Sequence, residues 1–304
     1  MAVTGRGTRT NPWIVSTYEE LKEYCAKQRD DDSSSDTSDV FIKLKDDTVI
    51  DCNKYGASWE WETISCSQNG GANITRVDLN GGTIKNAVIK ADNYLFLNEA
   101  TGTAVRVFEI QNGKLLNIFS NRAKAFIDGR GGMVHIEGVS MSINATSTSS
   151  VPFSYFSMIN SSIFVKAQKF LSSQYQLFLI RTGQVMQNCD VKVEIEDAEG
   201  NGAIFSCGAI NQVVDCRVRG YIKNARSSIC VANNRVQNCV ISVDLTNESI
   251  AHQFLDIVST GSTGVYNKTI ALITKPNGLV AASSTEIKDH AWLNANGFNC
   301  AKED

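Results

Sequence analysis

Acidic and basic side chains are concentrated between residues 190 and 219, where they could support catalysis. The acids are Asp190, Glu194, Glu196, Asp197, Glu199 and Asp215, and the neighbouring bases are Arg217 and Arg219. Two carboxylates a few ångströms apart can hydrolyse a glycosidic bond, and a carboxylate cluster can bind Ca²⁺ beside a basic residue. The alternation in Glu194-Ile195-Glu196 and Arg217-Val218-Arg219 instead directs these charges outward from neighbouring strands. We favour this second interpretation, a ladder of exposed ion pairs that contribute roughly 0–1 kcal/mol each.

Other residue types that carry chemistry form no recognised pattern. His135, His252 and His290 are far apart in the sequence, and none is near a Ser or Cys in a nucleophile motif. The nine cysteines include no CxxC pair and no zinc-ligand spacing, which favours buried thiols acting as small apolar groups. The acidic run 29–39 lacks the glycine and the final glutamate of a calcium-binding loop. The sequence therefore predicts no catalytic residue, no metal site and no cofactor.

Two aromatic groups are the candidates for glycan or partner binding. The first contains Tyr55, Trp59 and Trp61, and the second contains Phe153, Tyr155 and Phe156. Alternation along a strand places Trp59 and Trp61 on one face, where they could stack on sugar rings or close the end of a core. The second group could lie at a subunit interface or be buried within one chain.

A short pattern recurs through the middle of the chain: an apolar residue, any residue, then Asn, Asp or Gly, followed by alternating apolar positions. Met158-Ile159-Asn160, followed by Ile163 and Val165, is a clear example. Asn, Asp and Gly tolerate the positive φ of a tight corner between two strands. The predicted structural corner positions, whose spacing averages about 26 residues, are Asn86, Asn117, Gly138, Asn160, Asn188, Asp215, Asn238 and Asn267.

This spacing predicts an all-β fold, a right-handed parallel β-helix with three short strands in each turn. Eight turns at the ~4.8 Å spacing of strands give a rod about 38 Å long. Three cysteines (Cys189, Cys216 and Cys239) directly follow corner positions, which predicts a stack of buried thiols.

A β-sandwich of hairpins is the alternative fold. Asn-Gly pairs are typical of hairpin turns. Six occur, none on a predicted corner, beginning at Asn69, Asn80, Asn112, Asn201, Asn277 and Asn296.

The two ends of the chain are expected to cap the coil. Ser16 and Glu19 have the spacing of a capping box for a helix over residues 17–28, and Val40–Leu44 is the first predicted strand. A second helix is predicted within residues 284–298. The predicted domains are an N-terminal segment with its capping helix (1–40), the β-helix (41–283), and a C-terminal capping helix and tail (284–304).

The overall composition excludes several classes of protein. A chain of 304 residues that is 42% hydrophobic can form a sizeable core, so it is not a disordered or fibrous protein. A formal net charge of −3 argues against a nucleic-acid-binding protein. The N-terminus has no apolar leader, and no apolar run approaches the ~20 residues of a membrane span. We expect synthesis in a cytoplasm and no membrane insertion.

Several segments resemble β-helix virion proteins of tailed bacteriophages, of the head-fibre and tail-appendage type. The similar segments are Gly7-Thr8 with residues 11–21, residues 41–47, 50–53, 55–64, 78–84 and 292–298. The resemblance implies a location on the virion surface after synthesis in the bacterial host cytoplasm. It also implies contact with capsid or tail proteins and assembly as a homotrimer.

The leading functional hypothesis is a non-enzymatic structural protein of the virion that mediates attachment to the host cell surface, binding glycan or another receptor. A surface-polysaccharide depolymerase, a lyase or glycosidase of the tailspike type, is the alternative. An intracellular bacterial scaffold is a third possibility.

Overall fold

The fold is taken from a computed structural model of the chain. The structure describes residues 3–27, 39–66, 74–98, 107–120, 126–130, 132–148, 152–170, 174–180, 183–198, 201–207, 212–223, 229–232, 236–237, 240–245, 271–275, 278–282 and 290–295. The predicted corners Asn238 and Asn267, the acidic run 29–38 and Cys239 lie outside these residues.

The described chain is mostly strands in parallel sheets, so the all-β prediction is confirmed. The strands of the first half are β1 (Trp13–Val15), β2 (Val40–Leu44), β3 (Val49–Asp51), β4 (Ile64–Ser65), β5 (Ile74–Asp78), β6 (Thr83–Lys85), β7 (Val88–Ile89), β8 (Phe96–Leu97), β9 (Val107–Ser120), β10 (Ile127–Asp128), β11 (Met133–Thr148) and β12 (Phe153–Ser154). Those of the second half are β13 (Phe156–Ile159), β14 (Ser162–Phe170), β15 (Gln174–Ile180), β16 (Met186–Gln187), β17 (Asp190–Ala198), β18 (Asn201–Cys207), β19 (Val213–Val214), β20 (Arg217–Ile222), β21 (Ile229–Ala232), β22 (Val236–Gln237), β23 (Val240–Leu245), β24 (Ala271–Lys275) and β25 (Gly278–Ala282). The helices are α1 (Tyr18–Ala26), a 3₁₀ turn (Cys52–Tyr55) and α2 (His290–Ala295).

The strands form three rows in which neighbours pair in parallel. The first row is β1, β2, β5, β9, β11, β13, β16, β19 and β22. The second row is β3, β6, β9, β11, β14, β17, β20 and β23, so the long strands β9 and β11 belong to both. The third row is β4, β8, β10, β12, β15, β18 and β21. Parallel neighbours cannot be joined by tight hairpins, so the β-sandwich alternative was wrong.

The core lies between the rows, and each row contributes a column of apolar side chains in register. In the second row, Ile84, Leu115, Met141, Ile163, Val191 and Val218 follow one another in register and are buried. In the first row the corresponding column is Trp13, Ile42, Val77, Ile110, Ile136, Met158, Met186 and Val213. The alternating apolar residues of the sequence pattern therefore do face the core.

The third row contributes a stack of aromatic rings. Phe153, Phe178 and Phe205 are in register and fully buried. The ring of Phe178 lies 5.1 Å from that of Phe153 and 5.5 Å from that of Phe205, with interplanar angles of 27° and 24°. Phe126 extends the stack on the other side of Phe153. Large stacked rings fill the space between the rows with few rotatable bonds, which favours one packed arrangement.

The corner between the first and second rows is made by residues in the left-handed region. Gly138, Asn160, Asn188 and Asp215 have φ between 49° and 64° and occupy this corner in four successive strand pairs. The preceding members are Asn80 (φ 53°) and Asn112 (φ 55°). Their Asn-Gly pairs therefore mark corners between strands of the two rows and not hairpins.

Asn86 and Asn117 do not belong to that corner, which corrects the predicted series. They have φ of 60° and 53° but lie past the second-row strands, in a column of their own. The apolar-any-Asn pattern thus occurs at two different bends, and the predicted series changes from one bend to the other between Asn117 and Gly138.

Side-chain amides connect several successive corners. Asn117 donates to Oδ1 of Asn86 at 2.8 Å and accepts from Asn144 at 3.2 Å, while Asn86 donates to Asp51 at 2.9 Å. Asn188 donates to Oδ1 of Asn160 at 2.7 Å. These left-handed asparagines therefore also form hydrogen bonds along the rows, as in amide ladders.

At three corners the next residue packs inward as a small hydrogen-bond donor. Cys189 and Cys216 are fully buried, and their Sγ atoms lie 3.3 and 3.5 Å from the carbonyl oxygens of Met158 and Met186 in the preceding first-row strand. Ser161 occupies the equivalent position. Five described cysteines (Cys25, Cys52, Cys66, Cys189 and Cys216) are buried and form no disulfide, which agrees with their interpretation as small apolar groups.

The N-terminal end is closed by α1, whose N-cap is Thr17 and not Ser16. The Thr17 side chain accepts from the backbone N–H of Glu20, and Glu20 accepts from that of Thr17, so the capping box is one residue later than predicted. Tyr18, Leu21 and Cys25 of α1 are buried against the core. Strand β1 also pairs with β2, so the parallel ladder begins within the predicted 1–40 segment.

The described C-terminal part leaves the parallel pattern. Strand β24 pairs antiparallel with β23 and then with β25. Helix α2 lies within the predicted 284–298 range. Antiparallel pairing ends the repeat because it gives the next strand a different direction and register.

Replacing Asn117 tests the corner energetics. Asn117→Ala should lower the free energy of unfolding by about 2 kcal/mol, since it adds about 1 kcal/mol of left-handed strain to about 1 kcal/mol of lost hydrogen bonding. Asn117→Gly removes the same hydrogen bonds without the strain and should cost about 1 kcal/mol less. Urea denaturation measures both, and equal losses would contradict the strain component.

Replacing Phe178 tests the aromatic stack. Phe178→Ala leaves a cavity between two rings and should lower the free energy of unfolding by about 3–5 kcal/mol. Phe178→Leu keeps most of the apolar volume, so its loss should be about 1.5 kcal/mol. If thermal and urea denaturation show less than about 1 kcal/mol for the alanine variant, the ring is not packed as described.

Candidate functional site

A groove of about 460 Å³ runs along the corner between the first and second rows. It passes five successive corners, from Gly81 and Gly113 past Gly138 to Asn160 and Asn188. A side chain at Gly138 would lie 3.3 Å from Oδ1 of Asn112. Because this corner position has no side chain, the column of corner amides is interrupted there and the surface is left open. We call this surface the corner groove.

The wall of the corner groove is one outward column of the second row. Lys114, Ser140, Ser162 and Asp190 follow one another in register and all line the groove. The Ser162 hydroxyl donates to that of Ser140 at 3.0 Å. The groove therefore presents an ammonium group, two hydroxyls and a carboxylate in sequence, beside the amides of Asn160 and Asn188.

Asp190 lies at one end of the groove and is held by arginine. Only 7% of Asp190 is exposed, and its carboxylate accepts from Nη2 of Arg219 at 2.7 Å and from Nε at 3.2 Å. This two-point contact fixes the orientation of both groups. Arg217, which was predicted to point outward into solvent, is buried beside this pair.

The other acids of the predicted catalytic cluster also have cationic neighbours. Glu194 lies 2.9 Å from Lys192, and Asp197 lies 3.8 Å from Lys169. Glu196 accepts from Lys223 at 2.8 Å and from Tyr221 at 2.5 Å, and these hydrogen bonds lower the pKa of Glu196. The hydrogen bond to Glu196 is also the main cause that raises the pKa of Tyr221 to about 12. Asp215 occupies a corner, and Glu199 is outside the described residues.

The first aromatic group is divided between core and surface. Trp61 is fully buried, and its indole N–H donates to the carbonyl oxygen of Leu95 at 3.1 Å. Tyr55, which is 36% exposed, stacks on Trp59 with ring centres 4.7 Å apart. Trp61 therefore closes the end of the core, while Tyr55 and Trp59 remain accessible to a partner.

Tyr18 organises this group, although the sequence analysis did not single it out. Its ring lies 4.9 Å from Trp59 and 4.7 Å from Trp61. Its hydroxyl donates to the carbonyl oxygen of Glu62 at 3.0 Å and accepts from the Glu62 N–H at 3.2 Å. Burial raises the pKa of Tyr18 to about 12. Its position as the first residue of the capping helix was the sequence feature that could have identified it.

The second aromatic group is mostly part of the core. Phe153 and Phe156 are buried in the aromatic stack, with ring centres 5.8 Å apart. They therefore cannot contact a glycan or a second subunit, which corrects their assignment as binding candidates. Tyr155 is half-buried and has a φ of 55°.

Neither a cluster of metal-ligating side chains nor a membrane-spanning helix occurs among the described residues. They contain no group of three or more His, Cys, Asp and Glu side chains placed to hold a metal ion. No described helix has both the length and the apolar character needed to cross a bilayer. Of the three histidines, His135 lies on β11, 3.8 Å from Glu137.

Comparison of the chain with protein-family models, curated proteins and solved structures finds no match in any of the three.

Ionisation of Tyr18 gives a test of the N-terminal closure. The unfolded chain releases the phenol proton near pH 10, whereas the folded protein holds it to about 12. Unfolding is therefore favoured as the pH rises through this window, and stability is lost there. Tyr18→Phe should reduce stability at neutral pH, because two hydrogen bonds are lost, and should show a shallower decline between pH 10 and 12. Urea denaturation across this range checks both; an unchanged slope would contradict the burial of this phenol.

Proposed function

We propose that this protein is a non-enzymatic β-helix component of a phage virion that binds glycan on the host cell surface through the corner groove. The observation that carries this proposal is the in-register series of hydroxyl, amide and charged groups along the groove. Sugars offer hydroxyls that both donate and accept, and such side chains match them. A groove that repeats with the coil suits a polymer whose units also repeat.

The proposed fold is a right-handed parallel β-helix. The chain passes from the first row to the second and third and then returns to the first, one strand further along. Parallel pairing at every step within the rows supports a coil. The virion setting, the contact with capsid or tail proteins and the homotrimer rest on the resemblance of the terminal and early-strand segments.

The stack of exposed Tyr55 on half-buried Trp59 is a second candidate contact surface at the N-terminal end. Glu19 accepts from the Tyr55 hydroxyl at 3.2 Å, so the ring is held in place. This surface suits a protein or glycan partner that packs against a rigid aromatic face.

A depolymerase is the alternative function. The environment of the carboxylates Glu196 and Asp190 favours glycan binding over glycan cleavage. A general acid needs a proton at neutral pH and therefore a raised carboxyl pKa. The pKa of Glu196 is instead lowered by its hydrogen bonds, and Asp190 is held by Arg219. The lowered pKa keeps Glu196 charged at neutral pH, so it supports recognition of a ligand and not proton donation to a leaving group.

Filling the groove tests the proposal. Ser140→Tyr puts a phenol ring between Lys114 and Ser162, and we expect at least a tenfold loss of affinity for surface glycan because the ring occupies the site of the sugar. Ser142→Tyr is the matched control, since it lies on the same strand at the next outward position and outside the groove. Binding is measured on immobilised capsular polysaccharide, teichoic acid and lipopolysaccharide from several bacteria, with release of reducing ends assayed in parallel.

Two outcomes would overturn the proposal. Binding to none of these polymers would exclude the glycan as ligand. Release of reducing ends that Glu194→Gln or Asp215→Asn abolishes would establish the depolymerase. The virion setting is tested separately, by gold-labelled antibody against the protein on purified phage particles, and particles that carry no label would contradict it.

A further inference from the structure

We propose that the ligand of the corner groove is an acidic glycan whose isolated anionic substituent, a carboxylate or a phosphate, binds Lys114. This inference rests on the proposed glycan binding and names the chemical class of the glycan.

Lys114 supplies a positive charge in the groove that no described acid neutralises. It is exposed on β9, and its register neighbours are Thr83 and Ser140, which are both uncharged. No ion pair joins Lys114 to an acid among the described residues. A free ammonium group beside neutral donors forms a favourable site for one anion, because the charge-assisted hydrogen bond is stronger than a neutral one.

Asp190, the other charged residue that lines the groove, does not neutralise the charge of Lys114. Asp190 is already paired with Arg219, whose Nη2 lies 2.7 Å from the carboxylate. The groove lining therefore has an excess of positive charge at the Lys114 end, although the chain as a whole has a formal net charge of −3.

The spacing of the charges restricts the ligand further. Lys114 and Asp190 are three register steps apart, which at ~4.8 Å per step is about 14 Å. Only Ser140 and Ser162 lie between them in this column. A ligand that fits carries one anionic group followed by neutral sugars. A polyanion would place a second negative charge near Asp190 and would be repelled by the net charge of the chain.

The experiment compares neutral, sparsely acidic and densely acidic polysaccharides, with poly-glutamate as a non-glycan polyanion. Affinity is measured at low and at physiological ionic strength for the native protein and three variants. Lys114→Gln should weaken binding of the best sparsely acidic polymer about tenfold and reduce its salt dependence. Lys114→Arg should restore most of the affinity. Lys166→Gln, an exposed lysine of β14 outside the groove, is the matched control and should have little effect.

Chemical modification of the polymer identifies the anion. Carboxyl reduction removes a uronic acid charge, and hydrofluoric acid treatment removes phosphate. Whichever treatment weakens binding about tenfold should also abolish the difference between the native protein and Lys114→Gln, since both changes remove the same contact.

The failure of this inference is distinguishable from the failure of glycan binding. A neutral polysaccharide as the best ligand, with Lys114→Gln unaffected, would overturn the acidic class and leave the glycan proposal intact. Preference for a densely charged polymer would also overturn it. Binding to poly-glutamate and to no polysaccharide would overturn both proposals.

Discussion

Parallel pairing in a fixed register is the constraint on which the rest of the structure depends. Each strand in the interior of a row uses its N–H and C=O groups on the strand before it and the strand after it, so a shift in one strand would misalign every later strand. The inward columns show that this register is kept, since Ile163 of β14 is followed by Val191 of β17 and Val218 of β20. Since a slip of one residue would exchange core and surface, apolar burial holds the register.

The corners are what allow the same register to continue around a bend. A residue with positive φ changes the direction of the chain within two positions, and Asn can do this while its side chain reaches the next turn. Asn160 and Asn188 combine both properties, with φ of 49° and 51° and an amide hydrogen bond of 2.7 Å. Asparagine is thus suited to the corner because it tolerates positive φ and its side chain can form a hydrogen bond. Gly138 provides the positive φ and has no side chain to form such a bond.

The sequence predicted the all-β class, the strand β2, the N-terminal helix and the inward apolar positions, because these follow from local periodicity. It misassigned Asn80 and Asn112, because tolerance of positive φ is the same signal in a hairpin and in a corner. The groove residues Lys114, Ser140 and Ser162 were not identified at all. Such residues have no pattern of their own, and only the register, which depends on turns of unequal length, brings them into one column. Trp61 and Phe153 were ambiguous for the reason that aromatic rings serve both cores and binding surfaces.

The unequal turn lengths themselves favour the corner groove as the binding surface. Strands β13 and β14 are separated by two residues, as are β16 and β17, and β19 and β20. Across these three strand pairs, the variation in spacing is therefore absorbed in the connections to and from the third row, and the corner keeps one length. A polymer with a regular repeat needs a protein surface whose donors and acceptors are also regularly spaced. This regular corner between the first and second rows is where the hydroxyls, the amides and Lys114, which pairs with no described acid, lie together.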